Sequence, residues 1–143
     1  MLTTSNLHAS SALSGGRMMT ALWTHAVEMG RCAGFNMAGK PRKPYPGTFG
    51  ILNATQVADE PFVSMGLVHT QGVDCEVHCR STATTYRKVV FDASGERLLG
   101  ALFVGDISGA GLYRAIIRDR RPVAKIKGEL IEGTVHPGHL MSL

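Results

Sequence analysis

A chain of 143 residues is the size of one domain, and folding would bury roughly 70% of its unfolded surface around a single core. Its 44% hydrophobic and 18% charged residues exclude a disordered or fibrous protein, and a net charge of +4 is too modest to mark a nucleic-acid binder. No apolar run is long enough to span a membrane as a helix, and the first residues lack the basic-then-apolar pattern of a secretory leader.

Residues 1–17 are rich in Ser, Thr, Gly and Ala, show no period, and read as a flexible lead-in. Within 18–39 the spacing becomes helical from Thr20 to about Ala38, with Thr20 or Thr24 as N-cap and Gly39 as stop. Ala26, Gly30, Gly34 and Ala38 recur every four residues and line one face without bulk. Each glycine costs a helix about 1 kcal/mol relative to alanine, so a close neighbour should compensate. That neighbour is either another part of this chain or another domain. Residues 40–47, with three prolines, form an extended connector.

Residues 48–143 form the second region, where the period falls to two. Strands are expected over Phe49–Thr55, Pro61–Val68, Cys75–Ser81, Thr85–Asp92 and Leu98–Val104, with a hairpin turn at Ala93–Glu96. Ser108 should cap a helix from roughly Ala110 to Arg120, which Pro122 ends. Residues 123–132 can hold a short final helix, and the tail after Gly133 carries no strong signal. Helix, strand meander and helix in that order imply an α+β fold: an antiparallel sheet of three to five strands with flanking helices.

Three cysteines, an odd number, argue against a disulfide framework and for a reducing, cytoplasmic setting. Cys75 and Cys79 share a strand face while His78 points the other way, so this cluster should not bind metal. Arg118, Arg120, Arg121, Lys125 and Lys127 surround a helix end, where cations complement the dipole. His136-Pro-Gly-His139 reads as a turn near a terminus.

Two stretches carry a resemblance. The first runs from Ala21 to Gly39, with Ala26, Gly30-Arg31, Ala33 and Asn36 matching an A-x-x-Q-G-R-x-A-x-x-N helix and Met29 in place of the glutamine. The second joins Tyr86-Arg-Lys-Val-Val-Phe to Leu98-Leu-Gly-Ala-Leu-Phe-Val-Gly-Asp106 and a helix ending near Arg118. Together they resemble the end of the FAD-binding domain and the C-terminal domain of the pyridine nucleotide-disulfide oxidoreductase superfamily. The branch most similar includes the NADH–rubredoxin reductases and the flavin module of nitrite reductases.

The resemblance implies a flavoprotein oxidoreductase using FAD and NAD(P)H, with this region supplying dimerisation or interdomain contacts. In the family the N-terminus of the first helix faces the flavin ring, which points to Trp23, Thr24, His25 and Ala26 as cofactor-binding residues. The chain has no Gly-x-Gly-x-x-Gly after a strand and no Cys-x-x-Cys pair, so neither dinucleotide site nor a redox pair is present. No catalytic residue is therefore expected, and FAD should bind only with the missing nucleotide-binding domains. The expected partners are a flavin-binding domain or subunit and further copies of the chain. The alternative is a free-standing interaction module that kept the fold without the redox chemistry.

Overall fold

The computed structural model describes residues 8–10, 17–19, 23–39 and 52–141. The chain divides into two compact units, Met1–Phe49 and Gly50–Leu143.

In the first unit, β1 (His8–Ser10) pairs antiparallel with β2 (Arg17–Met19), His8 opposite Met19. This ribbon lies largely within what the composition marks as a lead-in; strands of three residues are too short to display alternation. Helix α1 spans Trp23–Met37. Its first turn contains Thr24, so that residue is helical rather than the cap, and Thr20 lies outside the described residues. Ala38 N–H donates to the Gly34 carbonyl, and Gly39, at φ +88°, turns the chain out of the helix as a left-handed residue can. The Pro-rich connector at 40–47 also lies outside the described residues.

The second unit is built on five antiparallel strands: β3 (Leu52–Val57), β4 (Glu60–Gly66), β5 (Cys75–Ser81), β6 (Tyr86–Asp92) and β7 (Leu98–Val104). Their order is β3-β4-β7-β6-β5. The register sets Val63 opposite Phe103 and Phe103 opposite Arg87, while Met65, Ala101 and Val89 form the next row. Alternation thus gathers Val63, Met65, Val89, Phe91, Ala101 and Phe103 on one face, each at most 4% exposed.

Helix α2 (Ala110–Asp119) lies against β7 and β4 and buries Tyr113, Ile116 and Ile117. A 3₁₀ turn at Ala124–Ile126 and α3 (Lys127–Glu132) add Ile126 and Leu130 to the core. Each such side chain contributes about 1.5–3 kcal/mol by leaving water. Phe103 and Tyr113 meet edge to face with centroids 4.9 Å apart.

Two local expectations need correction. Ser108 does not cap α2: its side chain is bonded to the Asp106 carboxylate, which also holds its N–H at 2.9 Å, and Gly109, at φ +76°, is the boundary residue. The tail also holds a fourth helix, α4 (Pro137–Leu140), where sequence marked only a turn. His136 Nδ1 accepts from Gly138 N–H, His139 Nδ1 accepts from His136 N–H, and Pro137 stands at the first helical position.

Candidate interface and cofactor-facing site

Helix α1 brings together the residues singled out for flavin contact. Trp23 is 81% exposed, Ala26 is exposed and His25 is half-buried. Thr24 takes its place between them on the backbone, its side chain lying outside the description. The first turn carries no acidic residue, so no carboxylate in that turn offsets the positive potential of its leading N–H groups.

The same helix presents more than the small-residue stripe. At 3.6 residues per turn, Trp23, Ala26, Gly30, Ala33, Gly34 and Met37 lie along one side, and all are exposed. A Cβ added at Gly30 or Gly34 would meet nothing within 4 Å. The half-buried His25, Met29, Cys32 and Asn36 form a second strip about a third of a turn away, and the side beyond it carries the exposed Glu28 and Phe35. The exposed side is therefore apolar along its length, bulky at both ends and flat in the middle. Sequence reasoning found the flat centre but not the bulky ends, because Met37 lies outside the four-residue repeat and Trp23 precedes it.

In the sheet unit the ionisable groups serve packing. Arg87 stacks over the Phe103 ring at 4.3 Å and donates from Nη1 to Tyr113 Oη at 3.0 Å. Tyr113 in turn donates to the Leu130 carbonyl at 2.7 Å, and burial pushes its phenol pKa up. Gly133, in left-handed conformation at the end of α3, leaves room where a Cβ would press on the Arg87 guanidinium. This cation joins β6, α2 and the end of α3.

Farther along the sheet, Glu76, opposite Phe91, accepts from Lys127 Nζ and from His78 Nε2, both at 2.6 Å. The Lys127 bond chiefly, and the His78 bond after it, hold the Glu76 carboxyl below its ordinary pKa. Lys127 also lies 5.2 Å from the Phe91 ring centroid.

The strand faces separate the β5 cluster as the alternation requires. His78 packs edge-on to Phe91 on the helix-covered side, whereas Cys79 accepts a hydrogen bond from Tyr86 Oη at 3.3 Å on the other. Among the described residues no three His, Cys, Asp or Glu side chains converge to hold a metal ion. The basic stretch is largely engaged: Arg118 pairs with Asp119 at 2.8 Å, Arg121 donates to the Leu140 carbonyl at 2.7 Å, and Lys127 serves Glu76.

The loop from β7 to α2 holds Gly105 and Gly109, with Gly111 in the first turn of the helix, yet it is no phosphate cradle. Asp106 stands within it, and the N–H groups of Ala110 and Leu112 are already bonded to the Ile107 and Gly109 carbonyls. Every strand pairing is antiparallel, so the described residues contain no βαβ unit of the kind that binds dinucleotides. No described helix is long and apolar enough to cross a membrane.

No protein-family profile and no curated protein matches this sequence. Solved structures do match. An NAD-dependent persulfide reductase from A. fulgidus superposes with a TM-score of 0.66 at 18% identity, over 83% of this chain and 25% of that one. A water-forming NADH oxidase from Lactobacillus brevis, solved with NADH, gives 0.64 at 24% identity, over 83% and 30%. An FAD-dependent pyridine nucleotide-disulphide oxidoreductase from Desulfovibrio vulgaris gives 0.62 at 17% identity, over 88% and 36%. The chain thus shares the fold of one part of these oxidoreductases and spans about a quarter to a third of their length.

Proposed function

We propose that this chain acts as the C-terminal domain, or a separately encoded part, of an FAD-dependent NAD(P)H oxidoreductase. It provides interdomain and intersubunit contacts and one wall of the flavin pocket, and it is not catalytic alone. The observation that carries this reading is the lopsided coverage: more than four-fifths of this chain matches about a third or less of each oxidoreductase.

The exposed side of α1 supports it. An apolar strip running from Trp23 to Met37, flat at Gly30 and Gly34, suits the close approach of a flavin-binding domain. The residues described fit one wall of a flavin site, through the first-turn N–H groups of α1 beside the exposed Trp23. They do not fit a whole site, since no βαβ unit accompanies them. Bound FAD would supply the electron-transfer chemistry. The contribution of this chain is to place N–H donors near Trp23–Ala26 and to exclude water along the contact.

The test is steady-state oxidation of NADH or NADPH by the purified chain with added FAD. No turnover above the rate of free FAD is expected. Turnover that follows this chain through purification would overturn the assignment as a non-catalytic part.

A further inference from the structure

We draw no further inference here: the strongest candidate, the face of the five-stranded sheet turned away from α2, where Phe62, Tyr86, Leu102 and Val104 are half-exposed beside the uncharged edge strand Leu52–Val57, carries nothing because no feature of the structure shows what covers it.

Discussion

Tyr113 and Arg87 show how a few polar atoms tie the sheet to its helices. Replacing Tyr113 with Phe leaves the Leu130 carbonyl and one Arg87 N–H without their partner, in a place where Tyr113 itself is 0% exposed. Urea denaturation should show a loss of about 1–3 kcal/mol; an unchanged midpoint would mean that water replaces the hydroxyl.

Glycine positions divide sharply by environment. At Gly100 a Cβ would overlap the Leu67 backbone, so Gly100→Ala should destabilise strongly. At Gly30 and Gly34 the space is open, and Gly→Ala should stabilise the isolated chain by about 0.5–1 kcal/mol each in thermal or urea melts. Destabilisation there would reveal a neighbour already packed on the stripe.

Glu76 supplies a pH signature. Its folded pKa is depressed, so its contribution is full above the unfolded carboxylate value, about 4.3, and is lost as pH falls through the lowered folded value. Lys127→Met should move the Glu76 carboxyl titration, followed by NMR, upward toward the ordinary value; no movement would show that Lys127 does not set it.

Among the elements, the strands of the second unit were legible because alternation survives wherever one face is buried. The Val89 and Phe91 pattern on β6 and the Ala101 and Phe103 pattern on β7 are read in sequence and found at most 1% exposed. Their amides should exchange slowest in the molecule, opening only with global unfolding, while β3, exposed along most of its length, exchanges faster. Hydrogen-exchange mass spectrometry that ranked β3 with β6 would contradict this order.

The less legible elements are those built by side chains rather than by periodicity. The α4 cap depends on two histidine rings 3.7 Å apart accepting backbone N–H groups, a role that sequence rules reserve for Ser, Thr, Asp and Asn. The start of α2 went to Gly109, the Ser108 side chain being bonded to the Asp106 carboxylate instead. The three-residue strands β1 and β2 leave no pattern to read. As for the candidate site, the stripe on α1 was readable from small residues at helical spacing, whereas the exposure of Trp23 and Met37 at its ends depends on the fold and leaves no mark in the spacing.

At the scale of the whole molecule, the proposed function makes this chain one part of a larger machine, with α1 as the place where the rest attaches. All of its net charge also resides in the first unit: Arg17, Arg31, Lys40, Arg42 and Lys43 against Glu28 give +4, while the second unit balances ten Lys and Arg with ten Asp and Glu. The most direct measurement replaces the corresponding part of a structurally similar oxidoreductase with this chain and records the flavin absorption of the purified chimera, alongside NADH oxidation. The chimera should retain FAD and turn over NADH, and Gly30→Leu with Gly34→Leu should abolish flavin retention while circular dichroism shows the helices intact. A well-folded chimera that holds no flavin, or a double variant that retains it as fully as the parent, would contradict the claim that this domain completes the flavin pocket through α1.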